Sequence, residues 1–161
     1  MDLAGKRVLV LGLGETGLSM ARWLARERAD VRVADTRHAP PGLEQLRRTL
    51  PAATVHCGGL GDDIFAGTDL VAISPGVPLA DPAVRRARDR GVKVIGDIEL
   101  FAQALLRERE SSAQALPKRP PPRIISITGT NGKSTVTALA GAMCASAGLE
   151  CEVAGNIGPA V

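Results

Sequence analysis

Along the first hundred positions, short apolar and β-branched runs alternate with stretches whose apolar residues recur at helical spacing. Residues 7–11 (RVLVL) are almost unbroken in their apolar character and run into glycine, the pattern of a strand buried on both faces. Between 16 and 28, Leu18, Met20, Ala21, Trp23, Leu24 and Ala25 follow a helical period instead. The same reading predicts strands at 31–34, 54–56, 70–73 and 92–95, with helices at 43–50 and 82–90. The last of these helices has Asp81 at its N-cap, Pro82 in its first turn and Gly91 at its end. Strand, helix, strand repeated in this way implies a parallel sheet with right-handed crossovers. Residues 1–96 are therefore expected to form a Rossmann-like open parallel α/β sheet with flanking helices.

A further helix is predicted at 97–109, after which Pro117 and the run Pro120-Pro121-Pro122 mark a linker, so that 97–122 reads as helix plus proline-rich connection. Beyond it the pattern restarts with a strand at 123–127 (RIISI), a glycine turn, a helix at 134–147 and a strand at 151–154. Two strands and one helix cannot cover both faces of a parallel sheet. Residues 123–161 are thus expected to be the incomplete start of a second α/β domain, with Leu139, Met143 and Leu149 poorly covered.

Composition narrows the function classes. With 45% hydrophobic and 23% charged residues the chain is globular in type, and a formal charge of +3 gives no case for nucleic acid. The aromatics are Trp23, Phe65 and Phe101, too few for a base-stacking platform. No apolar run approaches the ~20 residues of a membrane span. The opening MDLAGKR lacks the order of a signal peptide, so a cytoplasmic protein is expected. Cys57, Cys144 and Cys151 have no metal-type spacing. His38 and His56 lack partners at ligand spacing, and Arg85, Arg86, Arg88 and Arg90 read as a solvated helix face.

Two glycine loops carry the candidate chemistry. Gly12-Leu13-Gly14-Glu15-Thr16-Gly17 is a G-x-G-x-x-G between a predicted strand and helix, where glycines allow a phosphate to approach a helix N-terminus. Asp35 closes the next strand 18 residues after Gly17, where a dinucleotide fold places its ribose-binding acid. Ser74-Pro75-Gly76 follows the fourth predicted strand, and ligands of open α/β sheets bind beyond such carboxyl ends. The second loop is Thr128-Gly129-Thr130-Asn131-Gly132-Lys133-Ser134-Thr135. Its backbone N–H groups and Lys133 suit ATP phosphates, and the hydroxyl of Ser134 suits Mg²⁺. Strict P-loop spacing would place glycine at 127, where this chain has Ile127, so the loop is a variant of that pattern.

Taken as an ordered set, these segments resemble the Mur ligases of peptidoglycan synthesis. The resemblance runs through Gly12 to Ser19, Asp35-Thr36-Arg37, Pro40-Pro41-Gly42-Leu43, Ser74-Pro75-Gly76-Val77, Gly96-Asp97-Ile98-Glu99-Leu100-Phe101, the second loop, and Gly155-Asn156-Ile157-Gly158. It implies that the first loop serves the UDP part of a substrate. Uracil would be held near Gly14, Glu15 (through its backbone), Thr16, Asp35, Thr36 and Arg37, with Asp35 accepting from the imide N–H. The diphosphate would lie near Ser74, Gly76 and Asn156. By the same resemblance Gly129, Thr130, Asn131, Gly132, Lys133, Ser134 and Thr135 bind ATP, Lys133 is catalytic and Ser134 holds Mg²⁺.

Within the family the likeness is to the branch joining D-glutamate to UDP-N-acetylmuramoyl-L-alanine through an acyl phosphate. The implied partners are therefore UDP-MurNAc-L-alanine, D-glutamate and ATP, with no nucleic acid and no membrane span, in a monomer. The family's remaining metal ligands and its D-glutamate site match nothing in these 161 residues, so the chain alone is expected to be inactive. The rival reading is a stand-alone NAD(P)-binding Rossmann module, since Asp35 is chemically suited to a ribose 2′-OH as well.

Overall fold

The computed structural model describes residues 1–114 and 122–155, which divide into two compact units, Met1–Ala104 and Leu105–Val161. In the first unit the elements are β1 (Arg7–Leu11), α1 (Glu15–Arg26), β2 (Asp30–Asp35), α2 (Leu43–Thr49), β3 (Thr54–Cys57), β4 (Leu70–Ile73), α3 (Pro82–Asp89) and β5 (Lys93–Gly96). The helix α4 (Asp97–Gln114) begins in it and contains the boundary between the units. The sheet has the order β3-β2-β1-β4-β5, and every pairing is parallel. The α/β expectation for the first unit is met.

Alternation along β1 explains why its sequence is apolar from Val8 to Leu11. Val8 and Val10 enter one layer with Leu18, Met20, Ala21 and Leu24 of α1 and Leu46 of α2. Leu9 and Leu11 enter the opposite layer with Val84 and Ala87 of α3 and with Ile64 and Phe65. A strand buried on both faces has no position for a polar side chain. Fully burying each such leucine or valine is worth about 1.5–3 kcal/mol.

Differences from the predicted pattern have local causes. Helix α1 ends at Arg26 rather than 28, because Arg28 takes a left-handed conformation (φ 62°) that turns the chain into β2. The connection from β3 to β4 carries a 3₁₀ turn, Asp62–Phe65, for which the sequence showed no periodic signal: one turn is too short to have a period. The N-cap of α3 forms as expected, with Asp81 Oδ1 accepting from the N–H of Ala83 at 2.8 Å. Helix α4 runs to Gln114, past the predicted end at 109.

In the second unit, α5 (Lys133–Ser146) follows the glycine loop as predicted. The strands expected at 123–127 and 151–154 do not form among the described residues. A strand exists only through ladder partners, and isolated extended segments have none. The proline stretch at 115–121 and the segment 156–161, with Asn156, lie outside the described residues.

Candidate functional site

The switch point of the sheet lies between β1 and β4, because β1 leads to β2 and β3 on one side while β4 and β5 lie on the other. Ligands of open α/β sheets bind in the crevice beyond the strand carboxyl ends at this point. The first glycine loop, after β1, and the Ser74-Pro75-Gly76 turn, after β4, lie there. A Cβ built on Gly12 would lie 2.9 Å from Val77 Cγ2 and 3.0 Å from Ser74 Cβ, so the glycine loop abuts the turn after β4. The turn is anchored by Ser74 N–H donating to Leu11 at 2.9 Å and Val77 N–H donating to Ser74 at 2.9 Å.

Asp35, at the end of β2, ties this edge together. Its carboxylate is buried at 3% exposure and receives four hydrogen bonds. Oδ2 accepts from the Leu13 N–H at 2.6 Å and from Arg37 Nη2 at 2.7 Å. Oδ1 accepts from the Arg37 N–H and from Arg37 Nε, both at 2.8 Å. The forked bond from the Arg37 guanidinium holds the carboxyl down at about 2; burial opposes this, and the N–H of Leu13 adds to it. Arg37 itself remains half exposed, a planar cation fixed by one face of its fork at the rim of the crevice.

The loop peptide of Leu13 is clamped from both sides. Its N–H goes to Asp35, and its carbonyl accepts from Gly42 N–H at 3.1 Å, so the Pro40-Pro41-Gly42-Leu43 segment braces the glycine loop. Gly17 lies so close to Gly12 that a Cβ there would overlap its carbonyl oxygen. Gly14 and Gly76, in contrast, have nothing within 4 Å of a built Cβ. Glu15, Thr36 and Arg37 are exposed, Thr16 and Gly14 half-buried, and Ser74 buried. The first unit thus brings Gly14, Glu15, Thr16, Asp35, Thr36, Arg37, Ser74 and Gly76 to one sheet edge.

The second unit carries its own loop. Gly132 caps α5 in a left-handed conformation (φ 73°), which a side chain would resist, and the first N–H groups of α5 lie beyond it without intrahelical acceptors. Lys133 folds back so that its ammonium donates to the carbonyls of Gly129 and Thr130. Residues Gly129 to Thr135 are all exposed. Open backbone donors and a nearby ammonium fit a polyphosphate. For a divalent cation Ser134 offers one hydroxyl, and the described residues contain no group of three or more His, Cys, Asp or Glu able to hold a metal.

The model of the Mur ligase MurD-like N-terminal domain matches residues 6–96. The chain belongs to this family. Among curated relatives, the UDP-N-acetylmuramoylalanine–D-glutamate ligase of Nitrosospira multiformis is 53% identical over 161 residues, covering 100% of the chain and 32% of that protein. The ligase of the same name from Nitrosomonas europaea is 51% identical over 160 residues, covering 99% and 32%. The chain therefore spans about a third of the length of these relatives. Among solved structures, a pseudomurein peptide ligase type C from Methanothermus fervidus superposes with a TM-score of 0.50 at 24% identity, over 91% of the chain and 27% of that protein, a likeness of fold.

Sequence reasoning overlooked several parts of this MurD-like edge. Leu13 occupies a variable position of the glycine motif, and its contribution is a backbone N–H and carbonyl, which no side-chain signal announces. Gly42 sat in a quoted motif without a role. His38 is exposed, and its ring fills the space beside Gly58, where a Cβ would come within 2.6 Å of it. Arg86 of the basic face pairs with Asp62 at 2.9 Å, both half exposed.

Proposed function

We propose that this chain is the UDP-binding and ATP-loop portion of a ligase that adds D-glutamate to UDP-N-acetylmuramoyl-L-alanine in peptidoglycan synthesis. The observation carrying the reading is the junction of the glycine loop, Asp35–Arg37 and the Ser74 turn at the switch point of a MurD-like domain. In this reading the nucleotide lies across Gly14 and the first turn of α1, where Glu15 and Thr16 offer backbone N–H groups to uracil carbonyls. Thr36 adds a hydroxyl, Arg37 a planar cation, and Ser74 and Gly76 donate toward the diphosphate.

Asp35 acts indirectly. Leu13 and Arg37 already occupy its oxygens, so an imide N–H or a ribose hydroxyl would have to displace one of them. The carboxylate instead sets the loop and the guanidinium in place. The same saturation weighs against the NAD(P) reading, in which the acid must accept from a ribose directly. Calorimetric titration separates the two: UDP is expected to bind saturably and NADH not at all, and saturable NADH binding with no response to UDP would overturn the proposal.

In the second loop Gly129 to Thr135 would cradle ATP, Lys133 would exchange its carbonyl contacts for phosphate oxygens, and Ser134 would hold Mg²⁺. Bound Mg²⁺ would neutralise phosphate charge. In the reaction implied, the substrate carboxylate takes the terminal phosphoryl group of ATP and the D-glutamate amine displaces it as phosphate, leaving an amide. Positioning and charge neutralisation supply most of such catalysis. A cytoplasmic monomer is the assembly proposed.

With Ser134 the one group assigned to the metal among the described residues, the chain alone is expected to give no D-glutamate-dependent release of ADP in a coupled assay. Turnover that disappears in Lys133→Ala would contradict this.

A further inference from the structure

The return of the chain after α5 brings two thiols together. Thr137, Ala140, Gly141 and Cys144 are half-buried, while every other residue of the helix is exposed, Leu139 and Met143 among them. Spacings of three and four residues put these four positions on one helix face. The segment that follows the helix covers that face. Gly148, in a left-handed conformation (φ 73°), reverses the chain, and the Leu149 N–H donates back to the Cys144 carbonyl at 3.0 Å. A Cβ built on Gly141 would overlap Val153 Cγ2, so Val153 lies against the helix there. Cys144 stands three residues beyond Gly141, ~4.5 Å closer to the helix end. Cys151 stands two positions before Val153, on the same side of a segment that forms neither helix nor turn, and ~6.6 Å nearer that end. The two cysteines therefore face each other across the helix and its return. Electrostatics agrees. Desolvation and, after it, the neighbouring Cys144 push the Cys151 thiol above its ordinary value, because adjacent sulfurs resist sharing negative charge. The third free thiol, Cys57, ends β3 in the other unit.

We propose that Cys144 and Cys151 form a reversible intrachain disulfide by exchange with small-molecule disulfides, and that this bond pins the return segment to the helix that Lys133 begins. One protein thiolate attacks the small disulfide, bonding to one of its sulfurs and releasing the other half as a thiol. The second protein thiolate then attacks the protein sulfur of this mixed disulfide, closing the Cys144–Cys151 bond and releasing the second small thiol. The two thiol protons of the protein end on the released thiols, and the two electrons lost by the protein sulfurs reduce the small disulfide. Cys151 is exposed and Cys144 half-buried, so a small oxidant or reductant reaches the pair from solvent. An exposed disulfide of this kind is labile and regulatory rather than a structural staple. Oxidation ties residues 151–155 to α5, and reduction frees them. The inference does not depend on the nucleotide assigned to the first unit.

The test equilibrates the full folded chain with glutathione buffers of rising disulfide-to-thiol ratio, quenches with acid, alkylates the remaining thiols and maps the cysteine peptides by mass. Cleavage after Glu150 separates the two cysteines unless they are bonded. The expected product is a linked Cys144–Cys151 peptide pair that lacks two hydrogens, carries no glutathione and is reversed by excess thiol. Cys144→Ser and Cys151→Ser should each hold the other cysteine as a mixed disulfide with glutathione, and Cys57→Ser should behave as the wild type. In denaturant the linked form should be at least about tenfold less favoured in the same buffers, since the fold supplies the proximity. Amide exchange across 147–155 should slow at least about tenfold on oxidation. Glutathione retained on both cysteines, linkage chiefly through Cys57, a linked form equally favoured in denaturant, or unchanged amide exchange would each overturn the proposal.

Discussion

Gly17→Ala is expected to be the most damaging single-methyl change in the first unit, lowering stability by about 3 kcal/mol or more. The added Cβ would stand inside contact distance of a backbone oxygen, that of Gly12, and nothing flexible is available to move aside. Either α1 shifts away from β1 or the glycine loop opens. Both alter the packing of Leu18 and Ala21 on Val8 and Val10. Gly14→Ala is the matched control. Its Cβ meets nothing within 4 Å and its φ of −90° is ordinary for alanine, so folding should change by less than about 1 kcal/mol. Nucleotide binding, however, should weaken at least about tenfold, because the methyl would stand where the ligand approaches the backbone. Chemical denaturation and calorimetry of the two variants separate a glycine that packs from one that admits a ligand. Equal stability losses would contradict the assignment.

Asp35→Ala should abolish measurable UDP binding and cost about 2–4 kcal/mol of stability. It leaves the buried N–H of Leu13 without its acceptor and releases Arg37 from its fork. The acid dependence has a definite sign. A carboxyl held at about 2 when folded, below its ordinary 3.8, favours the folded state by about 2 kcal/mol or less, allowing for solvent screening at the exposed guanidinium. That contribution is complete above pH 4 and is lost as pH falls from about 4 toward 2. Denaturant midpoints of the wild type should therefore drop over this window more steeply than those of Asp35→Ala. Parallel curves would show that the carboxylate is not held as described.

The first unit was legible because its signals are redundant. The apolar strands, the capping Asp81-Pro82 and the glycine after β1 all point to one parallel sheet, and Gly12, Asp35 and Ser74 reach one edge because each ends or directly follows a parallel strand. What the sequence hid lies in the backbone and in shared partners. Asp35 looked like a free acceptor because a lone acidic residue at a strand end carries no mark of what already binds it; its saturation by Leu13 and Arg37 depends on a loop conformation set 22 residues earlier. The second unit shows the opposite limit. RIISI has the composition of a strand, but pairing is a property of two segments, and a segment without a partner remains merely extended.

The central claim is that the edge formed by Gly12–Gly17, Asp35–Arg37 and Ser74–Gly76 receives the uridine diphosphate end of the substrate. Its most direct test is a titration of the ¹⁵N-labelled chain with UDP-MurNAc-L-alanine, following backbone amide shifts residue by residue. Saturable shifts confined to Leu13 through Gly17, Thr36, Arg37 and Gly76, and lost in Gly14→Ala, are the predicted result. Shifts centred away from these amides, or an unchanged spectrum at saturating ligand while the fold remains intact, would contradict it.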